Sequence, residues 1–247
     1  RPGPRPCQAL EGLAAARCSK PDCRRSVVAE ASAEDPEAVL GEIAHIVAFA
    51  DQGPRADPTY PRESRNKYDN LILLCPTDHT LVDKQGATYS IGELREWKAS
   101  HERWVIDRLQ ETVPQVGFAE LEVVTRALVN AAIIPSADFT VLDPAEKMRR
   151  NSLTNRVHFE LTLGLSKARE VEDFVVHVGH LDPDFAERLK ARFVSEYRSL
   201  VGQGVGGDSL FSALSSFAAA GHAEFRFQAA GLVVLAYLFE KCEVFER

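Results

Sequence analysis

The sequence of 247 residues has no long hydrophobic run and only five cysteines. Its longest apolar stretches, 113–118 and 229–239, fall well short of the roughly 18–20 residues that cross a membrane. Residues 1–8 are rich in proline and lack the apolar core of a secretory signal, so we expect a cytoplasmic protein without a membrane partner. A small, odd number of cysteines argues against a disulfide framework and leaves metal binding or catalysis as their expected role.

The sequence also lacks an excess of positive charge. Lys and Arg number 29 and Asp and Glu number 36, which gives a formal net charge of −7. Residues 1–115 hold 15 basic and 18 acidic side chains, and residues 116–247 hold 14 and 18. Such a chain does not coat nucleic acid by bulk charge, so any contact with DNA must come from a local group of cations.

What is present divides the chain into two parts. The polar motifs that indicate chemistry lie before residue 85, whereas the pattern after residue 115 is mostly helical. Segment 112–117 contains a proline and a glycine and is the predicted boundary. We therefore expect an α+β protein with a mixed domain over 1–115 and an α-helical bundle over 116–247.

Local patterns predict the elements of each domain. In the first domain we expect a helix over 8–17, β-like segments over 26–29 and 39–49, and a short apolar strand or the entry to a turn over Leu71–Leu74. A helix over 77–84 follows, and Ser90 with Glu93 forms a capping box that opens another. Helix starts and periodicity in the second domain predict helices over 119–132, 144–168, 183–201, 208–220 and 225–245, with a break near Gly164 as an alternative for the second of them.

Two cysteine motifs have the spacing of a zinc site. One is Cys18-Ser-Lys-Pro-Asp-Cys23, and the other is Cys75-Pro-Thr-Asp78-His79. Zinc accepts sulfur, imidazole and carboxylate ligands in tetrahedral geometry, and the alternative is a set of buried cysteines without metal. The predicted ligands are Cys18, Cys23, Cys75 and Asp78, with His79 or Cys7 as alternatives at the fourth position.

Three further polar motifs accompany the cysteines. His45 lies within the β-like segment 41–47, and Asn70 comes immediately before an apolar run. His79 and Asp83 are four residues apart on one face of a predicted helix, a spacing that can hold one divalent ion. Taken singly, each has a structural explanation: a core histidine, a turn residue and a solvated carboxylate.

In this order the motifs resemble those of the HNH endonucleases, the ββα-metal family. The matching stretches are 18–24, 41–46 and 70–84, and the resemblance covers roughly residues 10–105. It implies a β-hairpin that carries His45, a loop, and a helix that carries His79. A structural zinc ion would hold these parts together. This ββα-metal domain would then be followed by the helical bundle.

The resemblance also implies a mechanism. His45 would be the general base that activates water for attack on a phosphodiester, which suits a side chain that titrates near neutral pH. Asn70 would orient His45 or the hairpin, and His79 with Asp83 would hold Mg²⁺ or Mn²⁺ at the scissile phosphate. Many members carry an acidic metal ligand just before the catalytic histidine, where this chain has Ala44. Metal binding then depends on His79 and Asp83, or on Glu42.

Contact with DNA, expected to be double-stranded, is assigned to cations near the predicted site. A solvated loop is the alternative for each of them. The predicted DNA-binding residues are Arg55, Arg62, Arg65, Lys67 and Lys84.

The second domain is similar, over short segments, to the C-terminal domains of bacterial ABC three-component conflict systems. The segments are 151–154, 164–165, 170–174 and 238–245. The resemblance implies an effector of anti-invader defence that assembles with itself or with a sensor ATPase. Apolar helices over 210–217 and 225–245 are consistent with docking on the bundle or on a second subunit, and we expect a homo-oligomer.

Three hypotheses of function follow. The first is a metal-dependent HNH endonuclease that hydrolyses DNA. The second is a non-catalytic zinc module that binds nucleic acid or protein, motivated by Ala44 and the negative net charge. The third is a cysteine nucleophile at Cys75 with His79 four residues later, which lacks an evident third group to orient the histidine.

Overall fold

Two units make up the protein in its computed structural model, residues 1–107 and residues 108–247. The residues described are 14–29, 34–35, 38–129, 143–241 and 245. They form a mixed structure in which helices outnumber strands, and both sheets belong to the first unit. The division after Asp107 falls eight residues before the predicted boundary at 115 and lies within a helix.

Four short strands form two antiparallel pairs. In the first pair β1 (Val28–Ala29) lies beside β2 (Ala38–Val39), and in the second β3 (Glu42–His45) lies beside β4 (Leu71–Leu74). His45 ends β3, opposite Leu71. The β-like segment predicted over 39–49 is therefore interrupted after residue 39 and ends at residue 45.

Helices α1 (Pro76–Lys84) and α2 (Ile91–Thr112) follow the second strand pair. Pro76 occupies the first turn of α1, where its missing N–H costs nothing. Ser90 Oγ accepts a hydrogen bond from the Glu93 N–H at 3.2 Å, which confirms the predicted cap of α2. Residues 14–16 form a turn and Arg17 pairs with Ser26, so the helix predicted over 8–17 is wrong at its described end.

The core of the first unit is built around the β3–β4 pair. All four residues of β4 are buried, whereas β3 buries Ala44 and leaves Glu42 exposed. Ala44 is fully buried among apolar side chains, so the position before His45 faces the core. Other members of this core are Val27, Ile46, Val82 and Leu94.

The described part of the second unit is helical. Its α-helices are α3 (Phe118–Val129), α4 (Pro144–Arg150), α5 (Asn155–Leu165), α6 (Ala168–Gly179), α7 (Phe185–Gly202), α8 (Gly207–Ala218) and α9 (Phe225–Lys241). Helix α9 packs against α3, α5, α6 and α8, and most of its side chains are buried. No helix in the described part of the chain is long and apolar enough to cross a membrane.

The helix predicted over 144–168 is divided between α4 and α5, and the break falls at 151–154 rather than near Gly164. Ser152 adopts a positive φ of 54°, which ends the helical path after α4. Thr154 then caps α5, because its side chain accepts a hydrogen bond from the Arg156 N–H. The helix over 168–179 was not predicted, and the predicted end at 132 lies outside the described residues.

Candidate metal centre and catalytic cleft

The loop over 17–26 positions two of the predicted zinc ligands. A turn between Cys18 and Cys23 folds the loop back on itself, and the backbone N–H of Ser19 donates to the carbonyl of Leu73 at 2.8 Å. This bond attaches the loop to β4. Cys18 is buried and Cys23 is half-buried.

The other two predicted ligands come from the start of α1. Cys75 is the N-cap, and its sulfur accepts a hydrogen bond from the Asp78 N–H. Asp78 Oδ2 accepts from the thiols of Cys75 at 3.1 Å and Cys18 at 3.3 Å. One ligand atom from each of Cys18, Cys23, Cys75 and Asp78 lies within 4.8 Å of all the others, so this cluster could hold a metal ion.

Charge around the cluster suits a bound cation. Burial raises the pKa of the Cys18 and Cys75 thiols. Burial acts in the same direction on Asp78, but hydrogen bonds from the three thiols and Lys20 outweigh it and hold the pKa of that carboxyl below its usual value. Three thiolates and a carboxylate match the ligand chemistry of zinc, and Lys20, 3.3 Å from Asp78, offsets part of their charge.

The sequence offers His79 and Cys7 as alternatives for the fourth ligand. His79 is occupied elsewhere, since its ring contacts Glu42 and Asp83. Cys7 lies outside the described residues. Asp78 is therefore the fourth member of the cluster that the structure gathers.

An open cleft of about 130 Å³ lies beside the end of β3. Its polar lining consists of His45, His79 and Asp83, three residues that the sequence assigned to catalysis or metal binding. The loop over 48–54 and α1 complete its walls. The structure thus brings the two histidines to one cavity.

Asn70 holds the chain immediately after His45. It is buried, and its side-chain amide donates to the carbonyls of Val47 at 2.9 Å and Arg65 at 2.8 Å. Its Oδ1 accepts from the Val47 N–H at 2.8 Å. These bonds fix backbone on both sides of the cleft loop, while the ring of His45 contacts Asn66 instead.

His79 lies between two carboxylates. Its Nδ1 shares a hydrogen bond with Glu42, and its Nε2 lies 3.5 Å from Asp83 Oδ2. Because the two acids take opposite nitrogens of one ring, they do not converge on a common point. Within the described ranges, the Cys18 cluster is the one group in which three or more ligand atoms lie close enough together to hold a metal, so no cluster of this kind supports the predicted Mg²⁺ or Mn²⁺ at His79 and Asp83.

Arg55 is a structural residue, although the sequence placed it among the DNA contacts. Only 2% of its side chain is exposed. Its guanidinium donates to the carbonyls of His45, Ile46 and Val82, and to Asp83 Oδ1 at 2.8 Å. Five donors in a planar fork suit this bridging role, which joins the chain after β3 to α1.

Arg65 is engaged in the same way. Its side chain is 4% exposed and donates to the carbonyl of Phe49 and to Asp51, both at 2.7 Å. Arg62 is 78% exposed and pairs with Asp51 at 2.5 Å. Of the five cations predicted to touch DNA, those exposed to solvent are Arg62, Lys67 and Lys84.

Two residues at the cleft were missed. Asn66 lies in a polar segment where nothing in the sequence distinguishes it from its neighbours, yet its Oδ1 is 2.9 Å from His45 Nε2. Phe49 ends an apolar run that predicts burial, but the residue is 53% exposed. The centre of its ring lies 5.7 Å from that of His45. Only the fold reveals both contacts.

The cysteine-nucleophile hypothesis finds no support in this geometry. Cys75 is buried, its thiol pKa is raised by that burial, and its sulfur bonds to Asp78. A nucleophilic cysteine instead needs a lowered pKa or an adjacent base.

A scan of the chain against protein-family models finds no match, and a search of the curated proteins finds no matching relative. These two comparisons therefore add nothing to the geometry.

Proposed function

We propose that the first unit is an HNH-type endonuclease that hydrolyses DNA phosphodiester bonds. The observation that carries this proposal is the order β3, β4, α1, which puts His45 and His79 on one cleft. Asn70 ties together the backbone on either side of the loop between the strands. This arrangement agrees with what the motif resemblance implies for a ββα-metal domain.

The chemistry assigned to this cleft is a hydrolysis with His45 as general base. His45 takes a proton from a water molecule, whose oxygen attacks phosphorus. The bond from phosphorus to the leaving oxygen breaks, and that oxygen takes a proton from solvent. Histidine is the side chain most often used for such a proton transfer. The divalent ion that the motif resemblance implies would be held by His79 with Asp83, and when bound it would offset the charge that develops on the phosphate.

Zinc has a structural role in this proposal. Bound by Cys18, Cys23, Cys75 and Asp78, it would join the loop over 17–26 to the β4–α1 junction. That junction also begins the helix that carries His79. The zinc would therefore fix one wall of the cleft without entering the reaction.

DNA contact is proposed for exposed groups near the cleft. Lys67 and Lys84 supply exposed cations, and Phe49 supplies an exposed ring. Self-assembly through the second unit, and a role in anti-invader defence with a sensor ATPase, rest on the resemblance of its segments alone.

A plasmid-cleavage assay tests the proposal. Wild type and His45→Ala are incubated with supercoiled plasmid and Mg²⁺ or Mn²⁺, over protein concentrations that span self-association. We expect His45→Ala to cut at least about 100-fold more slowly, the scale of general-base catalysis. His158→Ala changes an exposed histidine of the second unit and serves as the matched control. Equal cutting by wild type and His45→Ala would sink the proposal.

Two observations favour a non-catalytic zinc module as the second candidate. Ala44 is buried in the core where many family members place an acidic ligand, and Asp83 is neutralised by Arg55. This candidate predicts zinc binding and capture of DNA or protein without cleavage at any protein concentration. Binding would be the same for wild type and His45→Ala.

A further inference from the structure

Among the described residues, the ring of His45 makes one side-chain hydrogen bond, to Asn66, besides its ring contact with Phe49. Its Nε2 lies 2.9 Å from Oδ1 of Asn66, and an amide oxygen has no proton to give. With the amide oxygen of Asn66 facing the ring in this way, Nε2 is the donor of this hydrogen bond. Since a neutral imidazole carries one proton, Nδ1 is left with the free electron pair that a general base needs.

Asn66 is itself held in place through the backbone around it. The neighbouring Lys67 N–H donates to Ser64 at 3.1 Å, and the carbonyl of Arg65 accepts from the Asn70 amide at 2.8 Å. Arg65 also has its side chain buried against Phe49 and Asp51. Asn66 is thus carried by a segment that is anchored on both sides.

Asn70 joins that segment to the one that carries His45. Its side chain bonds both polar groups of the Val47 backbone, and it also bonds the carbonyl of Arg65. Val47 follows His45 by two residues, and Arg65 comes directly before Asn66. One buried amide therefore sets the distance between the histidine and its hydrogen-bond acceptor.

We propose that Asn66 is the positioning residue that fixes the tautomer and orientation of His45, and that Asn70 acts on His45 through Asn66. The catalytic meaning of this inference rests on the proposed nuclease function. The placement of the proton on His45 does not rest on that function, because it follows from the contact with Asn66.

Imidazole ¹⁵N NMR of the full chain tests the placement of the proton without any assay of activity. The His45 signals are assigned by their loss in His45→Ala, since the chain has seven histidines. We expect neutral His45 to be protonated at Nε2 in the wild type, and to become a mixture of tautomers in Asn66→Ala. Protonation at Nδ1 in the wild type, or a tautomer unchanged in Asn66→Ala, would overturn the inference.

Cleavage kinetics test the positioning role. We expect Asn66→Ala to lower kcat about 10- to 100-fold with little change in KM, since a displaced base costs turnover rather than binding. Asn66→Asp keeps an oxygen acceptor and should retain most of the wild-type kcat. Asn66→Leu, similar in size to asparagine but without an acceptor, should repeat the loss. An unchanged kcat in both Asn66→Ala and Asn66→Leu contradicts the role.

Asn155→Ala, an exposed asparagine of the second unit, is the matched control and should behave as wild type. The two proposals fail in different ways. If His45→Ala cuts DNA as fast as the wild type, the nuclease proposal falls, and the NMR result alone decides whether Asn66 holds the ring. If His45→Ala is inactive but the tautomer does not respond to Asn66, only the positioning role falls.

Discussion

At the scale of single residues, His101 is a buried histidine with a structural role. Its Nε2–H donates to the carbonyl of Ala14 at 3.0 Å, and its Nδ1 accepts from the guanidinium of Arg24. The ring stacks on Trp104 with centres 5.5 Å apart. Burial is the main cause that lowers the pKa of His101 to about 4, and the charge of Arg24 adds to it.

This lowered pKa predicts acid sensitivity of the first unit. The unfolded chain binds a proton at His101 near pH 6.5, whereas the folded chain binds it only near pH 4. The contribution of His101 to the free energy of unfolding is therefore fully present above pH 6.5. It is lost as the pH drops toward 4, by up to roughly 3 kcal/mol. Urea unfolding followed by tryptophan fluorescence measures it, because Trp97 and Trp104 both lie in the first unit.

His101→Gln should be less stable at pH 7, yet lose less stability between pH 6.5 and pH 4 than the wild type. His158→Gln, which replaces an exposed histidine of the second unit, should keep the wild-type slope. A pH dependence that is identical in wild type and His101→Gln would contradict the assignment.

At the scale of elements, helix starts that depend on adjacent residues were predicted, whereas several helix boundaries and the long-range pairing were not. The cap of α2 and the start of α1 depend on adjacent residues, and both follow from the sequence. The cysteine cluster could also be predicted from the sequence, because its two halves are a short turn and a helix N-terminus. The end of β3 could not be predicted in this way, because it is set by Asn70. The two oxygens of Asn70 accept hydrogen bonds from the N–H groups of Ile46 and Val47.

The same reason explains the errors at the cleft. Arg55 and Lys67 look alike in sequence as cations in a polar loop. The burial of Arg55 depends on carbonyls and a carboxylate as far away as Val82 and Asp83. Likewise, the contact between Asn66 and His45 spans 21 positions of chain. No local pattern encodes such pairs.

Helix α9 makes a close approach that permits a sharp test of packing in the second unit. A Cβ on Gly231 would lie 2.6 Å from backbone atoms of Ala218 and Ala219, at the end of α8. Gly231→Ala should therefore push the helices apart and destabilise the second unit by roughly 1–3 kcal/mol. Differential scanning calorimetry of the full chain would detect the lower unfolding temperature.

Gly179→Ala is the matched control for this substitution. Gly179 ends α6, and a Cβ there would meet nothing within 4 Å. Alanine at a helical position restricts the unfolded chain, so we expect a neutral change or a gain of up to about 1 kcal/mol. Equal unfolding temperatures for the two variants would show that the gap between α8 and α9 is wider than described.

At the scale of the whole molecule, neither unit is basic. Residues 1–107 carry 14 Lys and Arg against 17 Asp and Glu, and residues 108–247 carry 15 against 19. With Arg55 and Arg65 buried, the exposed cations near the cleft are fewer than the sequence implied. DNA affinity in the proposed nuclease must then come from few contacts per chain, which agrees with the expected assembly into an oligomer.

The two units should also respond differently to loss of zinc. All four members of the metal cluster belong to the first unit, whereas the second unit has its own core around α9. Removing zinc from the full chain with a chelator, or by Cys23→Ser, should release like-charged or unpaired ligands and open the first unit. Hydrogen exchange measured by mass spectrometry should then show lost protection over 17–29 and 71–84, with protection over Phe225–Lys241 retained. Loss of protection over Phe225–Lys241 as well would mean that the second unit depends on the first for its stability. Unchanged protection over 17–29 and 71–84 would mean that the cluster is not a structural metal site.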